Sequence, residues 1–502
     1  MRLVRATACC GGLRVSRVVW TTSAEMTDEP ESGSDRQCGQ RPHSIIHPEF
    51  GWHEKLKRWR RRTIWAAAVI AVLSIPLVVL ALVGIPHVLR IPLVRTVMAT
   101  GASGRTPALD APAFLAAFAL VTGTPLASSN RIELLSNGNE TYPRLWRDLR
   151  SARRSITLQV YYAGPGSVAD SAVRILSERA RAGVAVFFLY DAFGAQALPQ
   201  RFLDTLRAAG ARVAAFRPIR WYALDRANHR SHIRGIVIDA VIGYTGGFGF
   251  DDKWLGAGRR SGEWRESNAR FVGPAVAQLQ STFVAKWAEA TGELHGGAQL
   301  LPTLDAEAAT EISAEPTAET SAAGLLYSSP LNGSTVAERL FAISIVGAQR
   351  RLYITNAYFI PDADFVSLLV SAARRGVDVR VLTNGVQTDV ASTWLAGHTR
   401  YEKLLAGGVR IYEYQATTLH AKTFVGDGIW TSIATTNFDN RSLAYNSEVA
   451  LVARDARLGE IMDSVFLADV RHAEEIRLET FRRRSWWMRL REGGARVLGD
   501  LL

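Results

Sequence analysis

The 502-residue sequence predicts an α/β protein made of two fused, similar α/β/α domains, arranged as a pseudo-twofold repeat behind one N-terminal transmembrane helix. Three observations carry this expectation. A run without charges, Thr63–Pro86, follows a dense basic cluster. From about residue 130 onward, strand-like and helix-like patterns alternate. That alternation then returns some 190 residues later with glycines in matching places.

Residues 1–50 mix Ser, Gly, Pro and charges of both signs without periodicity, the pattern of a disordered arm. Met1–Glu25 is rich in arginine and nearly free of acids, as transit peptides are; the alternative is a true start at Met26. Residues 51–90 hold the cluster Lys55-Leu-Lys-Arg-Trp-Arg-Arg-Arg62 and the apolar run behind it, long enough as a helix to cross a bilayer. Six basic residues precede the run and only Arg90 and Arg95 follow closely. The positive-inside rule then places the chain beyond it outside the cytoplasm, as the body of a single-pass protein of the cell membrane. Residues 91–129 connect. Within them Ala111–Val121 is apolar but too short to span, which predicts a packed helix.

The first domain is expected over 130–294. Ile156–Tyr162 reads as a strand, Val168–Ala182 as an amphipathic helix stopped by Gly183, and Val184–Tyr190 as a buried strand. A linker over 295–324, rich in Ala, Glu, Thr and Ser, leads to the second domain, 325–475. There Arg351–Phe359, a helix to Arg375, Gly376 and Val377–Leu382 repeat the same order. Gly210 and Gly408 form a second matched pair. The tail, 476–502, carries Arg482-Arg-Arg-Ser-Trp-Trp-Met-Arg-Leu-Arg491 and is expected either to lie on an anionic membrane surface or to dock on the body.

Composition narrows the chemistry. Three cysteines, all among the first forty residues, rule out a disulfide scaffold. The net charge of +12 raises nucleic acid, anionic lipid or a phosphorylated substrate as partners. Residues 1–62 hold 12 Lys and Arg against 7 Asp and Glu, so much of that excess lies ahead of the apolar run. The remaining 440 residues carry only +7, with no run of aromatics interleaved with basics, which counts against a nucleic-acid groove. Lysine is scarce, six against 53 arginines.

Of ten histidines, two have both a cation two positions on and an acid seven positions on: His232-Ile-Arg234…Asp239 and His420-Ala-Lys422…Asp427, 188 residues apart. On a strand, residues i and i+2 share a face, so each pair offers an imidazole beside a cation, which suits a phosphate. The acid at the odd spacing falls at the strand's end, where it is expected to hold the architecture.

These two motifs resemble those of the phospholipase D superfamily. The stretch His420–Glu448, with Asn437-Phe-Asp-Asn-Arg-Ser442, is similar to the second motif region of bacterial cardiolipin synthases, and Gly246-Gly247 with Trp264-Arg265-Glu266 to the first. The resemblance covers about residues 130–490. It implies a two-step exchange on a phosphodiester through a phosphohistidine, with His232 as nucleophile, His420 as general acid/base, and no metal or other cofactor. Asp239 and Asp427 belong to the same catalytic motifs. Glu266 and Glu448 match carboxylates that orient the histidines. Arg234, Lys422, Asn437, Thr435 and Gly247 match positions around the phosphate. The chain departs from the pattern at Arg234, usually lysine, at Gly249, usually asparagine, and at Ala434-Thr435, usually Gly-Ser. The implied partners are a membrane and phospholipids, phosphatidylglycerol or a related anionic lipid. The alternatives are a lipid hydrolase of phospholipase D type, a membrane-tethered nuclease, or a lipid-binding protein without activity.

Overall fold

The computed structural model describes residues 52–79, 106–219, 229–301, 320–329 and 336–499. The chain forms two compact units, Met1–Val72 and Leu73–Leu502. The predicted arm, 1–50, and most of the linker lie outside the described residues. Helix α1 (Trp52–Val79) begins with the basic cluster, and the rest of the apolar run, to Pro86, lies beyond the described residues. Among the described residues no helix is long and apolar enough to cross a membrane, so the predicted span is not completed there. Within α1 the six cations of its first turns precede only the part of the apolar run up to Val79.

Helix α2 (Pro112–Thr122) is the short apolar stretch, and it packs: Phe114 and Phe118 are fully buried, their ring centroids 5.0 and 4.8 Å from that of Trp430. The first half of the sheet follows: β1 (Ala127–Ser136), α3 (Asn137–Ser151), β2 (Ser155–Val160), α4 (Ser167–Arg181), β3 (Ala185–Asp191), α5 (Gln200–Ala208), β4 (Arg212–Phe216), β5 (Gly235–Ile238), β6 (Ile242–Gly246), β7 (Ser267–Val272) and α6 (Ala275–Thr291). The second half is β8 (Ser321–Ser328), α7 (Val336–Gly347), β9 (Arg351–Asn356), α8 (Ala363–Arg374), β10 (Asp378–Asn384), α9 (Ala391–Ala406), β11 (Arg410–Tyr414), β12 (Lys422–Gly426), β13 (Trp430–Ala434), α10 (Asn440–Ala444), β14 (Glu448–Arg454) and α11 (Ala456–Val470). The chain closes with β15 (Ala473–Ile476), α12 (Leu478–Arg482) and α13 (Trp486–Gly499).

All these strands lie in one sheet, in the order β15-β11-β10-β9-β12-β13-β14-β8-β1-β7-β6-β5-β2-β3-β4. Reading outward from the centre, β1-β7-β6-β5-β2-β3-β4 is answered by β8-β14-β13-β12-β9-β10-β11. In each half three neighbouring strands, β2-β3-β4 and β9-β10-β11, are parallel and the next inward joins them antiparallel, while β15 adds an antiparallel edge beside β11. The two predicted domains are therefore not separate bodies. Strands β1 and β8 pair directly, and one apolar cluster draws Ile132, Val237 and Leu279 together with Val425, Ile433 and Leu458. The linker boundary also moves, because β8 starts at Ser321: its two neighbouring strands supply partners that outweigh the weak strand propensity of Ser-Ala-Ala-Gly.

Helices cover both faces, as apolar strands require. On one face α3, α4 and α5 pack over the first half, and α2, α7, α8 and α9 over the second. On the other face α6 and α11 share the central cluster. The matched glycines have one purpose. Gly183, Gly210, Gly376 and Gly408 take φ of 89°, 95°, 93° and 94°, the left-handed turn that ends a helix and feeds the next strand, which a Cβ would strain.

Candidate active site

The two motif histidines do not sit on strands, as their spacing suggested. Each lies just ahead of one: β5 begins at Gly235 and β12 at Lys422. The backbone there pairs across the halves instead. His232 donates its N–H to Ser447 O at 3.0 Å and Ser447 donates to Arg230 O at 2.8 Å. In the other half His420 donates to Arg265 O at 2.7 Å and Arg265 to Thr418 O at 2.9 Å. The residue before each histidine's partner glutamate is thus tied to the histidine of the opposite half.

The side chains follow the backbone. His232 Nδ1 stands 2.9 and 3.0 Å from the two carboxylate oxygens of Glu448, and His420 Nδ1 stands 2.6 Å from Oε2 of Glu266. All four residues are buried. Glu448 is held by Thr435, whose hydroxyl donates to Oε2 at 2.5 Å, and by the Asn446 amide at 3.3 Å. Glu266 accepts from the backbone of Ser267 at 3.0 Å and from Trp254 Nε1 at 3.3 Å.

The cations face the imidazoles. Arg234 Nη1 lies 3.1 Å from His232 Nε2, and Lys422 Nζ donates to the carbonyl of His420. A guanidinium can only donate, so Nε2 of His232 accepts and the ring proton sits on Nδ1, toward Glu448. That tautomer leaves Nε2 with the lone pair a nucleophile needs. Arg234 Nε and the Asn437 side-chain oxygen are buried without a hydrogen-bond partner.

Burial, then the neighbouring Arg234 and Lys422, holds both imidazoles well below the usual histidine range. Burial pushes Glu448 up to about 8 and raises Glu266, and it draws Lys422 down to about 7. Burial therefore favours the neutral forms of these groups, and a phosphate anion beside Arg234 and Lys422 would favour their charged ones.

Asp239 and Asp427 have no such place at the imidazoles. Asp239 accepts from the backbone N–H groups of Arg153, Arg154 and Ser155 at 2.9, 2.7 and 2.9 Å. Asp427 accepts from those of Gln349, Arg350 and Arg351 at 2.9, 2.7 and 3.0 Å. Each takes a positive φ, 54° and 53°, where its strand turns. These carboxylates are positioning groups at the far ends of β5 and β12.

Two of the expected phosphate positions have other work. The Thr435 hydroxyl is committed to Glu448. A Cβ on Gly247 would collide with the Glu266 carboxylate, so glycine there makes room for the acid. At Gly249 a Cβ would lie 2.7 Å from the Trp254 ring, which explains the missing asparagine: an indole fills that space.

The motif reading passed over Lys253 and Trp254, and took Trp264 only as part of the motif around Glu266. The Trp264 and Trp254 ring centroids lie 5.0 and 5.6 Å from that of His420. Extending the 188-residue offset past the glycines would have found the lysine, because it sets Asp251-Asp-Lys253 opposite Asp439-Asn-Arg441.

Two buried His–Glu pairs, each with a cation beside its histidine, thus close across the mixed sheet. A family model described as "Cardiolipin synthase, PLD-like domain" matches residues 342–470. The chain is 32% identical to a cardiolipin synthase of Halalkalibacterium halodurans over 76% of this chain and 74% of that protein. It is 34% identical to one of Geobacillus kaustophilus, covering 75% and 74%, and 31% identical to cardiolipin synthase A of Pseudomonas syringae, covering 74% of each. The protein belongs to the cardiolipin synthase family. The fold is also that of a phosphatidylserine synthase from Haemophilus influenzae, with a TM-score of 0.56 at 13% identity over 76% of this chain and 98% of the other.

Proposed function

We propose that this protein is a membrane-associated phosphatidyltransferase that joins two phosphatidylglycerol-type lipids into cardiolipin. The observation that carries the reading is the convergence of His232 and His420, each held by a glutamate of the opposite half, beside Arg234 and Lys422.

In the first step Nε2 of His232 attacks phosphorus and the bond to the leaving glycerol oxygen breaks, while protonated His420 gives that oxygen its proton. In the second, His420 takes the proton from the acceptor lipid's glycerol hydroxyl. That oxygen attacks phosphorus, and the N–P bond breaks. Two phosphatidylglycerols become one cardiolipin and one glycerol. Arg234 and Lys422 neutralise the phosphate throughout. The nearly matching strand order of the two halves supports their reading as a pseudo-twofold repeat.

Membrane association rests on both ends of the chain. The basic cluster Lys55–Arg62 ahead of the apolar run supports a single-pass anchor with the catalytic body on the opposite side. On α13 the stacked rings of Trp486 and Trp487, 4.1 Å apart, are mostly exposed beside exposed Arg489 and Arg491, a composition suited to an anionic lipid surface. The test is incubation with phosphatidylglycerol vesicles. Cardiolipin and glycerol should form in equal amounts. Phosphatidic acid in place of cardiolipin, with glycerol still released, would make the protein a hydrolase, and no product from folded protein would refute both.

A further inference from the structure

We propose that Lys253 is a specificity-determining residue: its ammonium fills an aromatic cage beside His420 and thereby bars alkylammonium headgroups from the site. The proposal rests on the lipid-transferase reading above and names the headgroups that reading excludes.

Lysine side chains ordinarily reach for water or a carboxylate. The Lys253 ammonium instead stands 3.3 Å from the ring centroid of Tyr162, 4.0 Å from that of Trp264 and 4.9 Å from that of Trp254. Its only described interactions are with these rings and through the fields of more distant charges, among them Asp251 and Asp389. Three π faces around one cation are the arrangement that recognises quaternary ammonium groups. The cage is built rather than incidental. Trp254 is fully buried, with its indole N–H on Glu266, and the Trp264 backbone donates to the carbonyl of Lys253 at 2.6 Å.

The location gives the cage its meaning. Two of its three rings also flank the imidazole of His420, so whatever occupies it sits within one ring of the group that handles the alcohol proton. A choline or ethanolamine headgroup placed there would gain cation–π contacts, but Lys253 already holds them and repels a second cation. A glycerol headgroup suffers no such repulsion. At the matching 188-residue offset Arg441 replaces Lys253, and Ser442 stands where Trp254 supplies a ring.

The experiment titrates tetramethylammonium against the tryptophan fluorescence of the full-length wild type and Lys253→Ala, and then measures choline release from phosphatidylcholine vesicles. Lys253→Ala should bind tetramethylammonium at least about tenfold more tightly than wild type. Lys253→Arg should stay closed, and adding Trp264→Ala to the open variant should abolish the gain. Choline release should rise in Lys253→Ala. If that variant does not fold, Lys253→Ser takes the same readout. Binding no tighter than wild type with unchanged near-ultraviolet circular dichroism would overturn the proposal, as would tight binding with no gain in choline release where the wild type makes cardiolipin. The binding arm does not require transfer activity. Wild type that makes no cardiolipin while Lys253→Ala gains the onium site would therefore sink the transferase reading and leave the cage standing.

Discussion

Glu448 holds His232 across the middle of the molecule: the carboxylate comes from β14 in the second half, the imidazole from ahead of β5 in the first, and Nδ1 lies 2.9 Å from Oε1. Glu266 returns the arrangement to His420 at 2.6 Å. Neither motif histidine takes its acid from its own half.

Because each glutamate orients a ring rather than touching substrate, Glu448→Gln and Glu266→Gln should lower kcat by at least about a hundredfold with KM little changed. Mixing the two single variants should restore nothing, because both halves lie in one chain and one sheet. Steady-state kinetics on phosphatidylglycerol vesicles read the split. A rise in KM alone would mean that the carboxylates bind lipid.

Lys422 sets a pH limit. Burial draws its ammonium down to about 7, so the group is charged below that pH and neutral above it. Phosphate binding needs the charge, and kcat/KM should fall as pH rises through about 7. A guanidinium stays protonated, so Lys422→Arg should move that limb up by about one pH unit or more. An unmoved limb would assign it to another group.

Asp239 and Asp427 each accept three backbone N–H groups where a strand turns at positive φ. Replacement by alanine should cost about 1–3 kcal/mol of stability in urea unfolding, since backbone donors, most of them partly buried, lose a charged acceptor. Activity of the remaining folded protein should be far less affected than by loss of either histidine.

His398 ties the tail helix to the body. Its Nε2 lies 2.8 Å from Glu413 and its Nδ1 3.2 Å from Glu492 of α13. Burial pulls its pKa down, but the bonds to the two carboxylates outweigh this and raise it above the ordinary value. A raised folded pKa means the contribution is fully present below the unfolded value and is lost as pH rises through the folded one. Protease cleavage ahead of α13 should therefore increase at alkaline pH. His398→Ala, which leaves two buried carboxylates facing each other, should loosen the tail at all pH values, at a cost of about 3 kcal/mol. Cleavage independent of both would remove the latch.

What the sequence made legible was local. The strand–helix–glycine order and the His–cation spacing are properties of short segments, and both recur at fixed offsets. The cross-pairing of glutamates was not legible, because spacing says nothing about which half supplies the partner. Thr435 reads as a phosphate contact until its hydroxyl is seen committed to Glu448. Lys253 reads as one charge in a loop, since the rings that cage it come from Tyr162, Trp254 and Trp264, spread over a hundred residues. The tail reads as basic with two adjacent tryptophans, and nothing in that pattern marks Glu492 as the acid that meets His398.

The central claim is covalent transfer through His232. Phosphatidylglycerol labelled at phosphorus, mixed with the enzyme and quenched in alkali, which preserves an N–P bond, tests it directly. The label should stay on the peptide that contains His232 and be absent from His232→Ala. Label on the His420 peptide, or no labelled peptide while cardiolipin forms, would contradict it.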